Sequence, residues 1–403
     1  MNARKLLILL LLIVVAGGIA FAIYTLFFKP AIPVEVVNAP GVNAPAGVGL
    51  PGAAPGGPPT GVPGQPAAPL PGVSLTAKGG LTQVTLVAPV PTTGASLTSS
   101  GALNYYNRAD GKFYHVGPDG TVQSLSNKTF FNVDKATFDG GGNKAVLEYP
   151  DGSNVMFDFN SNTQVTLPKH WESFDFSSRG DKIVAKTMGV DPASRFLIVS
   201  NPDGSQAKAI QELGANADKV QVAWSPNNQI VATATTGESF GVDRKEVYFI
   251  GQNGENYKSM VVEGLGFQPK WTPGGDRLVY SVSGSLSDYK PSMWIVDAQG
   301  DDIGKNRRSL NVQTWANKCT FQGDNSMYCA VPQDLPEGAG LQPAVADGTP
   351  DDLYRIDLAT GLQTKIAVPE GSHTIDSVMV TPDGSSLFFT DKGSGVINKV
   401  LLK

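Results

Sequence analysis

"WSPNNQIVATAT" (Trp224–Thr235) and "WTPGGDRLVYSV" (Trp271–Val282) are built alike: a bulky aromatic, Ser/Thr-Pro, a polar turn, then a β-rich apolar run. The two tryptophans lie 47 positions apart. Recurrence at that distance marks one supersecondary unit copied along the chain. Aligning on this opening gives further copies at Leu97, Phe138, Phe176, Phe321 and Val380, so successive anchors lie 41, 38, 48, 47, 50 and 59 residues apart. Each copy reads as the end of one strand, a Gly/Asn/Asp turn and the start of an antiparallel partner.

A second hairpin follows the opening, as in "KFYHVGPDGTVQSL" from Lys112, "EVYFIGQNGENYKSM" from Glu246 and "DLYRIDLATGLQTKI" from Asp352. The last copy, "GVINKVLLK" from Gly395, lacks the second half of this unit. Two hairpins per repeat of roughly 40–50 residues match a propeller blade. Seven openings therefore predict an all-β, seven-bladed β-propeller of four-stranded antiparallel blades over residues 81–403. The repeated aromatic (or Leu/Val) should pack between neighbouring blades, and the Ser/Thr-Pro turn should end the innermost strand. The truncated last blade needs a fourth strand, and "LTQVTLVAP" (Leu81–Pro89) is a spare β-rich run just before blade one. Pairing the two would close the ring and remove two exposed sheet edges. Val84, Leu86 and Ala88 alternate along the run, but Leu81 and Val87 fall off that face, so its register is open by at least one residue.

The pattern resembles the WD40-like repeats of TolB-type β-propellers. Trp224-Ser225-Pro226, Trp271-Thr272-Pro273 and Val380-Thr381-Pro382-Asp383-Gly384 carry the first half of the motif, and Leu353-Tyr354-Arg355-Ile356-Asp357 carries the second. The openings at Leu97, Phe138, Phe176 and Phe321 lack the proline and rest on spacing and pattern. The resemblance covers about Leu81 to Lys403 and implies a binding scaffold. TolB itself carries a separate N-terminal α/β domain, which this chain replaces with a different N-terminal region, so the whole TolB role does not transfer.

That region has two parts. Leu6–Phe28 is an apolar run of 23 residues, with Arg4 and Lys5 before it and Lys29 after it. About 20 apolar helical residues span a bilayer core, so residues 1–29 read as a transmembrane anchor. A cleaved signal peptide competes, because Gly18-Ile19-Ala20 resembles a cleavage site, but signal apolar regions run only about 7–15 residues. Arg4 and Lys5 favour a cytoplasmic N-terminus, which places the propeller outside an inner membrane crossed once. Residues 30–80 form a linker: from Pro30 to Leu75 there are 12 prolines and a single charged residue, Glu35. Proline removes donors and glycine adds chain entropy, so a disordered, semi-extended tether is expected.

Charge and cysteines narrow the function. Setting aside Arg4, Lys5, Lys29, Lys78 and Glu35 leaves 27 basic and 35 acidic residues, a net charge of −8. Nucleic-acid binders present a basic face, and no basic cluster beyond Arg307-Arg308 exists, a pair that reads as a solvated loop. "CTFQGDNSMYC" sets Cys319 and Cys329 on the two arms of one hairpin. Outside the membrane a cross-strand disulfide is favoured over free thiols.

Catalytic and metal signals are poor. "GESFG" (Gly237–Gly241) matches a nucleophile elbow in letters alone, since a strand rather than a helix is expected after it. "DFNSNT" (Asp158–Thr163) lacks the Gly and terminal Glu of a calcium loop and reads as a hairpin turn. "RGD" (Arg179–Asp181) falls in a blade turn. His115, His170 and His373 are too scattered for a metal motif, although His170 and His373 fall in connections on one face. No cofactor motif is found.

The departures from the blade pattern point to a site. The connection between the second and third strands is short in blades one and two. It lengthens to "TTGESFGVDRK" in blade four, "SVSGSLSDYKP" in blade five and "VPQDLPEGAGLQPAVADGTPD" (Val331–Asp351) in blade six. Loops longer than about 12–15 residues are uncommon unless functional or disordered, and binding residues gather on loops held by a rigid scaffold. Phe240, Asp243, Arg244, Tyr289, Lys290, Asp334 and Glu337 are the candidates for binding; tolerated insertions are the plain alternative. The sequence thus reads as a membrane-tethered, extracytoplasmic, non-enzymatic propeller that binds an envelope protein or surface ligand. A propeller hydrolase or lyase acting on cell-surface glycans or peptides is the alternative, and a stator in an envelope assembly is a third.

If Leu6–Phe28 is an uncleaved anchor, protease added to intact cells should release a fragment that begins within Pro30–Leu75. A soluble protein whose N-terminus lies near Phe21 would refute the anchor.

Overall fold

The second strand of each repeat is mostly buried, and in Ile230–Ala234 and Leu103–Asn107 every residue is. Outer strands lose that cover, and Val122–Ser124 is exposed throughout. Strands buried on both faces need neighbours on both sides, which a ring of sheets provides. The computed structural model describes residues 72–403. The expected membrane-spanning segment 6–28 and nearly all of the linker lie outside the described residues. Among the described residues no helix is long and apolar enough to cross a membrane.

Seven blades follow one another, each of four antiparallel strands running outward in chain order, except that the outermost strand of the seventh comes from the start of the domain. They occupy residues 92–124, 135–167, 171–212, 220–263, 265–309, 319–369 and, with one borrowed strand, 375–401. The seven repeat anchors fall where expected. Leu97, Phe138, Phe176, Trp271 and Val380 are the last residues of innermost strands. Seven apolar clusters lie between neighbouring blades. Trp224 packs with Val184 and Leu197 of blade three, and Trp271 with Ile230, Val247 and Phe249 of blade four. Burying one such large side chain contributes roughly 1.5–3 kcal/mol. The indole N–H of Trp271 also donates to Ala223 O of blade four at 3.1 Å.

The last blade is completed by the N-terminal run, as the strand count requires. Thr85–Ala88 pairs antiparallel with Ile397–Leu401, setting Thr85 opposite Lys399, Leu86 opposite Asn398 and Ala88 opposite Ile397. A bulge at Val87 resolves the broken alternation. Only the second half of Leu81–Pro89 does this. Leu81–Thr82 instead lies parallel to the outer strand of blade six, with Leu81 opposite Val368 and Thr82 opposite Pro369. Pairing begins still earlier, within the 30–80 segment, where Ser74 bridges Thr82 and Thr76 bridges Leu401. The chain therefore runs over the outer edges of two blades before it closes the ring.

Polar side chains on innermost strands reach to the next blade. Asp175 accepts from Trp224 N at 2.7 Å, Gln221 donates to Phe267 O at 2.6 Å, and Lys270 donates to Cys319 O. Crowding by the blades pushes the Asp175 carboxyl up to about 6 and the Lys270 amine down to about 8. Cys319 and Cys329 face each other across the first hairpin of blade six and form a disulfide, both fully buried.

Deleting residues 81–89 should lower the melting midpoint by on the order of 5 °C and promote oligomers through the exposed edge of the last blade. Deleting residues 39–68 should leave the melting curve unchanged. Equal melting of the two deletions would contradict the closure.

Candidate functional site

In each blade the second-to-third-strand connection emerges at the same end as the connection to the next blade, so the long loops of blades four, five and six share one face. They are linked in series. Asp243 of blade four accepts from Ser285 N at 2.9 Å and from the Tyr289 hydroxyl at 3.2 Å, both in blade five. Blade six donates back: Gly338 N to Asp288 O and Gly340 N to Tyr289 O, each 2.9 Å. Gly340 approaches so closely that a Cβ there would lie 1.8 Å from Ser283 Oγ.

Asp288 and Tyr289 hold φ of 51° and 52°, the left-handed region. For an aromatic residue this costs on the order of 1 kcal/mol. Three bonds of Tyr289 offset it: its N–H to Gly284 O, its carbonyl from Gly340 and its hydroxyl to Asp243. Hydrogen bonds from Ser285, side chain first and backbone second, hold the Asp243 carboxyl below the usual carboxylate range. The negative charge of Asp243 in turn raises the Tyr289 hydroxyl.

Between blades four and five these loops leave a cleft of about 570 Å³. Phe240, Val242, Leu286 and Trp294 supply its apolar lining; Asp243, Arg244, Glu263, Ser285, Asn311 and Gln313 are among its polar groups. Glu263 Oε1 is shared by Arg244 Nε at 3.4 Å and Arg307 Nη2 at 3.1 Å. The Arg307 guanidinium lies 5.6 Å from the centre of the Trp294 ring, a cation–π contact. The cleft is amphipathic: Asp243, Glu263 and Arg244 line it, and Arg307 supports Glu263 and Trp294 from outside the lining.

The structure brings together four of the seven residues expected from sequence. Phe240, Asp243 and Arg244 line the cleft, and Tyr289 stands behind Asp243. Lys290 is half-buried and does not line it; its carbonyl accepts from Ser287 Oγ at 2.6 Å. Asp334 and Glu337 are exposed on the blade-six loop, away from the cleft. Leu335 between them is buried against Trp315, Ala339 and Ala346, so this long loop is pinned to the ring. Sequence reading missed Glu263 and Trp294, which lie on blade strands rather than in an insertion, and read Arg307 as solvated. Strand alternation in "SMWIVD" was the one signal that turned Trp294 away from its buried neighbours Met293 and Ile295.

Arg307 and Arg308 are not a solvated pair. Arg307 is half-buried against blade four through Val261 O and Glu263, and Arg308 donates to Leu358 O of blade six. The remaining sequence motifs find structural roles. Ser239 of "GESFG" accepts from Lys245, and the strand Arg244–Gly251 follows it. Asp158 Oδ1 caps a hairpin turn by accepting from Asn160 N and Ser161 N. His373, just before blade seven, bonds Asp391 at 3.2 Å, while His170 immediately precedes blade three. Among the described residues no group of three or more His, Cys, Asp or Glu side chains is arranged to hold a metal ion.

No protein-family model matches the chain, nor does the sequence of any curated protein. Solved structures do resemble it. An oligogalacturonate lyase in complex with manganese superposes with a TM-score of 0.54 at 14% identity, covering 79% of this chain and 93% of that one. The oligogalacturonate lyase of Vibrio parahaemolyticus gives 0.53 at 13% identity, with coverage of 79% and 93%. The hydrazine synthase of Kuenenia stuttgartiensis gives 0.51 at 12% identity, covering 78% and 96%. At such identities the likeness is one of fold, and the fold is the β-propeller.

Asp243→Ala should lower the amide-exchange protection of Ser285 by about fivefold while leaving the melting midpoint nearly unchanged, because the contact is exposed. Asp243 has a lowered folded pKa, so its contribution is present above the usual carboxylate range and lost as pH falls through the lowered value. The gap between wild type and variant should therefore hold from neutral pH down to the carboxylate range and close only below it. A gap that persists at the lowest pH would mean that the carboxylate charge is not what orders the loop.

Proposed function

We propose that this chain is a membrane-tethered, extracytoplasmic scaffold of the cell envelope that binds a protein or surface ligand through the cleft between blades four and five. The observation that carries this reading is the serial linkage of the loops of blades four, five and six through Asp243, Ser285, Tyr289 and Gly340. Three insertions that fold onto one another make a surface pre-organised before any partner arrives, which lowers the ordering cost of binding. A φ-strained tyrosine at the centre fits the tendency of strain to collect at functional sites. The resemblance to TolB-type repeats supports a binding role, and the apolar Leu6–Phe28 segment supports the tether. Glycan or peptide cleavage would need paired carboxylates or a metal set facing substrate, whereas both carboxylates of this cleft are engaged by neighbours.

A photo-crosslinking residue at Phe240 in the full chain, activated in intact cells, should yield adducts with an envelope component. The same residue at Val122, on the outer edge of blade one, should yield few. Equal adducts at both positions, or none at Phe240, would overturn the reading. So would release of shortened oligogalacturonate by the purified chain that is lost in a Glu263→Gln variant.

A further inference from the structure

The large apolar side chains with the greatest exposure are not scattered. Val190 is 98% exposed, Val242 83% and Leu286 93%. Each sits in the second-to-third-strand loop of its blade, in blades three, four and five, on the face that carries the cleft. Blade six continues the row with Leu341, 47% exposed, and Phe240 of blade four adds an aromatic ring, 45% exposed. Turn chemistry does not ask for aliphatic residues at loop tips, where Gly, Asn, Asp and Ser serve better. Phe240, Val242 and Leu286 line one cleft, with Val190 and Leu341 on the blades to either side, and exposed apolar residues gathered on one face mark a contact surface.

The charges beside the row identify what it contacts. Glu238, Asp288, Asp334 and Glu337 stand exposed on the loops of blades four, five and six with no ion-pair partner among the described residues. Basic groups are fewer: the loops 189–195, 235–245, 284–290 and 333–350 carry seven Asp or Glu against four Lys or Arg, and Arg244 is paired with Glu263. Lys290 is half-buried. The surface therefore offers aliphatic tips flanked by an excess of carboxylates. We propose that it docks a protein segment whose apolar side is bordered by Lys or Arg, a basic amphipathic segment. This rests on the scaffold reading above and names the chemistry of its partner. Charge complementarity excludes the other occupants of an apolar face. A second copy would bring the same carboxylates together, and a bilayer bearing anionic lipid would repel them.

The test uses the full chain in zwitterionic nanodiscs and a fluorescent amphipathic Leu/Lys peptide, with Leu/Glu and Ser/Lys peptides of equal length as controls. The Leu/Lys peptide should bind about tenfold or more tightly than either control. The variant V190S/V242S/L286S should weaken it about tenfold, and E238Q/D288N/E337Q about threefold, with the difference shrinking at high salt. All six positions are exposed, so the fold is retained, and Leu362→Ser on the opposite face should change nothing. Unchanged peptide affinity in the two triple variants overturns the proposal. It is also overturned if V190S/V242S/L286S instead abolishes flotation with anionic vesicles or a concentration-dependent dimer. If crosslinking from Phe240 captures a partner while the Leu/Lys peptide binds no better than its controls, the scaffold stands and this assignment falls.

Discussion

Closure is the constraint on which the rest of this molecule depends. A propeller blade has two faces to bury, and only a complete ring gives every blade a neighbour on each side. Here the ring is completed by four residues, Thr85–Ala88, laid against Ile397–Leu401. With that strand in place the final cluster forms, in which Ala88, Ile397 and Phe388 of the last blade meet Leu103 and Tyr105 of the first. Blade one is tied to the same seam through Thr92, whose N–H and hydroxyl both donate to Gly395 O at 2.9 Å. The long-range pairing costs loop-closure entropy that grows only slowly with chain length, so joining the two ends of a chain this long is affordable once apolar clusters surround the seam.

The large-scale plan was legible because it is periodic. Trp224 and Trp271 revealed the unit, and spacing recovered the copies at Leu97, Phe138, Phe176 and Phe321 that lack the proline. The anchors are legible because one physical task, filling the gap between blades, recurs at each. What was not legible is what occurs once. Leu81–Thr82 joins blade six in parallel because the chain reaches that blade's outer edge first, a fact of three-dimensional path that no alternation encodes. The bonds of Asp175, Gln221 and Lys270 to the next blade share neither residue type nor repeat position: Asp175 and Lys270 stand one residue before their anchors, Gln221 three. At the candidate site, loop length pointed to Phe240, Asp243, Arg244 and Tyr289. It also pointed to Asp334 and Glu337, which share the face but not the cleft. Length identifies an insertion and cannot say which of its side chains turns inward. Trp294 and Glu263 lay on ordinary strands and carried no insertion signal.

The division of labour follows from these two scales. The ring is held by repeated apolar clusters, a buried disulfide and the buried pair of Lys318 with Asp351 at 2.7 Å. Burial pushes that lysine down and that aspartate up, against their mutual attraction. A pair of this kind fixes geometry more than it adds stability, and it holds the entry of blade six against Ile375 N of blade seven. On such a frame the loops of blades four to six can differ in sequence and length without disturbing the blades beneath them.

The path of the chain ahead of the closing strand has a mechanical consequence. Tension applied to the chain before Gly72 would reach the ring at its own seam. It would first load the single bridges of Ser74 and Thr76, then the two-residue pairing of Leu81–Thr82, and only then the strand Thr85–Ala88. These are three clasps in series, each of few hydrogen bonds, so the seam yields in steps while the clusters of the other blades stay unloaded. Under force, survival is set by the rate of opening rather than by equilibrium stability. A ring fastened in this way behaves as a fuse placed where the chain enters it.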